Sequence, residues 1–374
     1  MIKLARAEQL IVALDYCLSC RGTCPTCVLS RSERLSTGPA MTVEAAVGAL
    51  SAIAPMYPDI GHLALGIGRG NNLAMPEETV ADFVAIARAV DGLFRFEDGV
   101  LEISTSLVGK IEPQIDRARR ILRTFRQART RLDPRFVVVA NTALASAPYW
   151  RNLDKFIRSM EDERGGRADG TGDILQLNVA TGSLPEPEML CATLSEYRFP
   201  VNVTWAPAFD PGARTEEGLE ALTTWIGRFY RASRDTGLDA NIVTRTAGAL
   251  SVGAETLPDA IATVRGSAAN VVYVAPNGSF HEGFTSVLAE MDPVRYDPAS
   301  VTGEGSAAVV RDPTAEVLQL ARNRACRLCP RLPLCVVAGA YRVGLIALRA
   351  HPKGTKVCPS GMRKAFDEAM GFAA

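Results

Sequence analysis

The sequence predicts an α/β fold, a partial (β/α)6 barrel with a small C-terminal module, and three observations predict it. Short apolar runs of strand length alternate with longer amphipathic stretches, the pattern of repeated βα units around a mostly parallel sheet. The alternation completes six units and stops near residue 250. Eight of the nine cysteines fall in two tight groups near the ends of the 374-residue chain, the second of them beyond that point. With 47% hydrophobic and 22% charged residues the chain can bury a large core, which excludes disorder or a fibre as its main state.

The six predicted strands cover residues 10–16, 63–68, 101–106, 136–141, 174–179 and 201–205. Runs such as LIVAL and FVVVA are rich in branched residues and lack the strict alternation of a half-solvated sheet, as strands covered on both faces do. The helices predicted after them cover 43–53, 78–90, 115–128, 152–163, 187–197 and 216–236. A polar, Gly-rich stretch at 165–172 reads as a loop. Two further strand-like runs, 241–246 and 271–275, follow, the second entering the turn Pro276-Asn277-Gly278. The expected division is 1–250 for the barrel and 251–374 for a loop-rich module whose thin apolar content calls for a metal staple.

Forty-one basic and 41 acidic residues cancel, so no overall field draws nucleic acid or an anionic membrane. No apolar stretch approaches the roughly 18 to 20 residues of a membrane span, and the first residues lack a secretory cleavage pattern. The expectation is a cytoplasmic protein with neither nucleic acid nor membrane as partner. In a reducing compartment, close cysteine pairs suit metal ligation better than a disulfide framework.

The first group, CLSCRGTCPTC, can be read in two registers. Cys17, Cys20, Cys24 and Cys27 together offer four thiolates, enough for a closed tetrahedral zinc site. Cys20, Cys24 and Cys27 alone offer three, which can hold three irons of a 4Fe-4S cube and leave the fourth open to a non-protein ligand. The loop directly follows the first predicted strand, and ligand sites of such sheets lie at the carboxyl ends of the strands. Context therefore favours the cluster, with Cys17 an inert buried thiol.

In this register the sequence resembles the radical SAM superfamily, whose Cys-x3-Cys-x2-Cys motif occupies the loop after the first strand of a partial (β/α)6 barrel. The resemblance implies that the open iron of a 4Fe-4S cluster on Cys20, Cys24 and Cys27 chelates S-adenosylmethionine, which an electron cleaves to a 5′-deoxyadenosyl radical. It also implies a flavodoxin or ferredoxin-type electron donor. The residue before the last motif cysteine, commonly aromatic in the family, is Thr26.

The glycine-rich turn GIGRGNN follows the second predicted strand, and Gly66, Gly68, Arg69 and Asn71 are the expected co-substrate contacts there. Arg69 or Asn71 stands where the family often has an acidic residue. Ser104 and Ser106 at the third strand end and Asn141 at the fourth are small polar groups able to hydrogen-bond a ribose or a carboxylate. Asn178, Thr181, Thr204 and Trp205 would line the same mouth.

The second group comprises Cys326, Cys329, Cys335 and Cys358, a complete set of four thiolates that suits either a closed iron-sulfur cluster or zinc. The segment CRLCPRLPLC resembles the SPASM and twitch extensions of radical SAM enzymes, which implies one auxiliary 4Fe-4S cluster on these four residues. Gly339 stands where the family's ligand to a second auxiliary cluster would be. Cys191, the three histidines and the Arg-rich stretch 117–135 read as packing or surface residues.

A closed auxiliary cluster can accept an electron. The expected outcome is therefore oxidation, by dehydrogenation or cross-linking, and the resemblance implies a small-molecule substrate, sugar- or aminocyclitol-like, or a peptide. Only nineteen residues precede Cys20, too few for a peptide-recognition domain, which favours the small molecule. The alternatives are a redox-neutral radical epimerase or rearrangement enzyme, and a zinc-stabilised binding protein.

Overall fold

The computed structural model describes residues 7–20, 26–27, 29, 31–143, 147–165, 173–197, 200–264, 271–282 and 314–371. The predicted loop at 165–172 lies, beyond Gly165, outside the described residues.

Six βα units run in sequence. The strands are β1 (Ala7–Leu14), β2 (Ile60–Ile67), β3 (Phe96–Thr105), β4 (Leu132–Asn141), β5 (Ile174–Val179) and β6 (Val201–Trp205). The helices following them are α1 (Val43–Ile53), α2 (Thr79–Leu93), α3 (Ile111–Ala128), α4 (Ala147–Arg164), α5 (Pro187–Tyr197) and α6 (Glu216–Thr236). The apolar periodicity placed α1, α5, α6, β5 and β6 at their observed bounds, and β3 and β4 begin several residues earlier than predicted. Local chemistry fixes the ends. Thr42 and Thr215 cap α1 and α6 by accepting from the backbone N–H groups of Ala45 and Gly218. Gly237, at φ 66°, closes α6 in a left-handed cap.

Two further strands, β7 (Val271–Val274) and β8 (Phe280–Glu282), complete one sheet of order β6-β5-β4-β3-β2-β1-β7-β8. The first seven are parallel and curl into a half-barrel, with β8 antiparallel to β7 across the turn that contains Gly278. Val271–Val274, which lies beyond the sixth βα unit, pairs along β1, with Ile11 opposite Val271 and Leu14 opposite Val274. β1 is thus an interior strand, and its Leu10, Val12 and Leu14 are at most 1% exposed.

One predicted strand is corrected. Residues 241–246 open a helix, α7 (Asn241–Val252), followed by α8 (Leu257–Val264). The branched residues of NIVTRT favour a strand locally, but Ile242, Thr246 and Ala249 recur at helical spacing and are the buried face, and Gly253 caps the end at φ 67°. The chain does run beside β6 up to Ala240, which bridges Val201. Asn241 then completes the pairing with its side chain, accepting from the Val203 N–H at 2.9 Å and donating to the Val203 carbonyl at 3.2 Å.

The C-terminal part is helical: α9 (Thr314–Ala321), α10 (Leu332–Val337), α11 (Tyr341–Ala350) and α12 (Arg363–Ala369). α12 packs on α6, and α10 packs on α7 and α8. Phe366, fully buried, belongs to the same continuous core as the barrel. Among the described residues no helix is long and apolar enough to cross a membrane.

Candidate functional site

The chain leaves β1 through Asp15 and Tyr16 into the first cysteine group. Asp15 is 1% exposed. Its carboxylate accepts Arg69 Nε at 2.8 Å and Nη2 at 2.6 Å, a bidentate ion pair, and also the hydroxyl of Tyr273. One buried carboxylate therefore binds the carboxyl ends of β1, β2 and β7 together beneath the cysteine loop. Burial beside this carboxylate pushes the Tyr273 phenol well above its ordinary value, so it stays a neutral donor. Tyr16 likewise donates to Asp82 of α2.

The glycine turn after β2 packs on the backbone of the cysteine loop. Gly70 N–H donates to the Cys17 carbonyl at 2.9 Å and Asn71 N–H to that of Ser19 at 2.6 Å. Gly68 adopts φ 92°, and a Cβ there would lie 2.2 Å from the Cys17 oxygen. At Gly70 it would lie 2.4 Å from the Ser19 oxygen. The close backbone approach that these glycines allow is therefore to the chain's own loop. Gly66, opposite Ala13 within the sheet, has only ordinary contacts.

The other predicted residues gather at the same strand ends. Cys20 is half-buried, with Sγ 4.0 Å from Ser106 Oγ. Asn71 donates to that hydroxyl at 3.3 Å, while its Oδ1 accepts Thr105 Oγ1 and the Leu73 N–H. Asn141 Nδ2 donates to Thr26 Oγ1 at 3.0 Å, which anchors the residue beside the half-buried Cys27 to the end of β4. Ser104 is half-buried inside β3. Cys24 lies outside the described residues. Cys17 is fully buried, and burial pushes its thiol up to about 12, the state of an inert packing group.

Asn72 escaped the sequence reading. It is 0% exposed, yet among the described residues neither polar atom of its amide has a hydrogen-bond partner. Leaving such a group unsatisfied costs about 1–3 kcal/mol, a cost that a polar ligand beside the cysteine loop would remove. The doubled asparagine of GRGNN, one member bonded and one orphaned, was the only sequence signal.

At the remaining strand ends, Asn178 Oδ1 accepts from Thr204 and from Gln176, and Thr181 is bound to the buried Asp210 through both its N–H and its hydroxyl. Trp205, at the end of β6, donates Nε1–H to the Ser360 carbonyl at 2.9 Å and so reaches the second cysteine group.

Cys326, Cys329, Cys335 and Cys358, brought from a single helical turn, the segment after it, α10 and the loop before α12, line one cavity with Leu320, Leu332 and Phe366. Burial, and then the neighbouring thiols, raise Cys326 to about 12 and Cys335 and Cys329 in the same direction. Three sulfurs held neutral by burial and by their neighbours belong to a donor set suited to a cationic centre, whose charge would offset that penalty. Gly339 adopts φ 70° at the end of α10, a conformation cysteine would rarely take.

The residues read as bland have structural partners. Cys191 is fully buried between α5 and α6, its sulfur 3.5 Å from Ser233 Oγ and its thiol pushed up to about 11 by burial. His62 pairs with Asp98 at the surface, and His351 Nε2 donates to the Ala213 carbonyl at 2.9 Å. The side chain of His281 lies outside the described residues. Arg117 donates to the carbonyls of Met75 and Pro76, and Arg123 forms a bidentate pair with Glu163.

No protein-family model matches the chain, and no curated protein matches its sequence. Solved structures do. AdoMet-bound anSMEcpe, a radical SAM enzyme of the SPASM type, superposes with a TM-score of 0.57 over 97% of this chain and 98% of that one, at 10% identity. The chain has the fold of anSMEcpe. Native anSMEcpe with AdoMet gives 0.58 at 9% identity, and its complex with AdoMet and the Cp18Cys peptide gives 0.56 at 10%, each over the same shares of the two chains.

Proposed function

We propose that the chain is a radical SAM enzyme, in which Cys20, Cys24 and Cys27 hold a 4Fe-4S cluster and S-adenosylmethionine. The observation that carries this reading is the position of the cysteine loop, at the carboxyl end of an interior strand in a half-barrel shared with AdoMet-bound anSMEcpe. When bound, the cluster and its co-substrate supply a 5′-deoxyadenosyl radical, which removes one hydrogen atom from substrate. The Asp15–Arg69–Tyr273 clamp and the Gly68–Gly70 turn hold the base of the loop, while Ser106 and Asn141 support its two arms. Ser104, Ser106, Asn71 and Asn141 lie at the strand ends where a ribose or a carboxylate would be hydrogen-bonded, and the orphaned Asn72 amide supports a polar ligand beside them.

Cys326, Cys329, Cys335 and Cys358 hold one auxiliary 4Fe-4S cluster. The four cysteines line one cavity, and the fold shared with anSMEcpe, a radical SAM enzyme of the SPASM type, supports this over zinc. An auxiliary centre that accepts an electron directs the reaction toward oxidation of an unactivated C–H bond in a small molecule or a peptide, a peptide being supported by the anSMEcpe–Cp18Cys complex. A flavodoxin or ferredoxin-type protein supplies the initiating electron.

The test is metal analysis of protein prepared without oxygen, followed by a 5′-deoxyadenosine assay with dithionite. About eight irons, two four-iron cubes, with nucleoside release lost in Cys20→Ala, Cys24→Ala and Cys27→Ala, is the expected result. Zinc without iron would refute it.

A further inference from the structure

Two polar side chains, Asn323 and Ser360, are buried against the C-terminal sulfurs, at 7% and 3% exposure. Asn323 Nδ2 donates toward Cys326 Sγ at 3.6 Å. The far side of the amide fixes its orientation, because the Thr355 N–H, which can only donate, reaches Oδ1 at 3.0 Å. The NH2 group must then face the sulfur. Gly354 makes room for this arrangement, since a Cβ there would lie 2.9 Å from Asn323 Oδ1.

Ser360 Oγ lies 3.3 Å from Cys358 Sγ and 3.6 Å from Cys335 Sγ. The Met362 N–H donates to this oxygen at 3.4 Å, and the Ser360 carbonyl accepts the Trp205 indole N–H. Ser360 is thus held from both the C-terminal segment and the end of β6. Sulfurs that bind iron do so as thiolates, which accept hydrogen bonds and cannot donate them. The hydroxyl must therefore give its single proton to one of the two sulfurs, Cys358 being the nearer.

Hydrogen bonds to the sulfurs are among the determinants of a cluster's reduction potential. A donor at sulfur stabilises the more negative, reduced state most, so two fixed donors raise the potential. We propose that Ser360 and Asn323 are potential-setting residues that make the centre held by Cys326, Cys329, Cys335 and Cys358 a better electron acceptor. The proposal rests on the reading of that centre as an iron-sulfur cluster and assigns two further residues to its control.

The experiment uses the full chain carrying Cys20→Ala and Cys27→Ala, so that only the C-terminal centre gives a paramagnetic signal, with metal analysis before an EPR-monitored redox titration. Ser360→Ala removes one donor, and Asn323→Ala removes the donor to Cys326 without adding a charge. Each is expected to lower the reduction equilibrium constant about tenfold, about 59 mV for a one-electron couple, and Ser360→Thr is expected to retain the parent midpoint. Full iron content with unmoved midpoints in both donor-removing variants would overturn the proposal. Zinc in the parent protein would overturn the underlying cluster reading instead, a failure visible before any titration. If Ser360→Ala does not retain iron, an unmoved midpoint in Asn323→Ala overturns the proposal and a lowered one supports it.

Discussion

Replacing Gly68 by alanine tests whether the glycine turn exists to hold the cysteine loop. Two costs should add. The first is the positive φ of 92°, which costs a residue with a Cβ about 1–2 kcal/mol. The second is steric, because the new Cβ would lie 2.2 Å from the Cys17 oxygen and 2.4 Å from its nitrogen, where ordinary contact is 3.4–4 Å. Both opposing atoms are backbone, so the loop itself must move, at about 1–3 kcal/mol for overpacking of this kind. The sum is about 2–5 kcal/mol. Gly109 provides the control, with φ 91° and, among the described residues, no atom within 4 Å of an added Cβ, so Gly109→Ala carries the first cost alone. Urea denaturation of both variants, with iron content after reconstitution, separates the two. Gly68→Ala should lose about 1–3 kcal/mol more than Gly109→Ala and should retain less iron at the N-terminal site. Equal losses with full iron in both would refute the reasoning.

Other expectations follow from particular side chains. Asn241→Ala strips the Val203 N–H and carbonyl of their partners and should cost about 1–3 kcal/mol in urea denaturation. Cys191→Ala should leave 5′-deoxyadenosine release and substrate turnover unchanged, and loss of turnover at unchanged stability would instead make this thiol a hydrogen donor. Cys335→Ala should halve the iron content while nucleoside release persists at the N-terminal site. The Cys17 thiol, raised by burial from 9.0 to about 12, keeps its proton in the native state where the unfolded chain loses it. Its contribution is complete below about pH 9 and declines toward pH 12 by up to about 1.4 kcal/mol per unit. Urea midpoints measured above pH 9 should therefore fall less steeply in Cys17→Ala.

The barrel was legible because each of its six units repeats one apolar rhythm, and a buried parallel strand such as FVVVA leaves a continuous run no helix face requires. Asn241 shows where that logic stops. Its neighbours are branched, and only the tertiary burial of Ile242, Thr246 and Ala249 turns the segment into a helix. The place of β7 was illegible for a different reason, since nothing in VVYV specifies β1 as its neighbour. At the candidate site the cysteines announced themselves by spacing. The partners that orient them, Asn323, Ser360 and Trp205, are ordinary polar and aromatic residues whose roles arise from meeting across the fold. Arg69 was singled out as a co-substrate contact, and its partner Asp15 lies 54 residues away, beyond the reach of any local pattern.

The pairing of β1 with β7 also dictates an order of assembly. Asp15 and Tyr273 are 258 residues apart in the chain, yet their hydrogen bond closes one side of the cysteine loop. During synthesis the N-terminal strand emerges first but gains its second neighbour only after most of the chain has been made, and such long-range pairing is intrinsically slow. If these cysteines hold iron as proposed, its loading is coupled to completion of the sheet, and a truncated chain ending before residue 271 should bind iron loosely and oxidise readily.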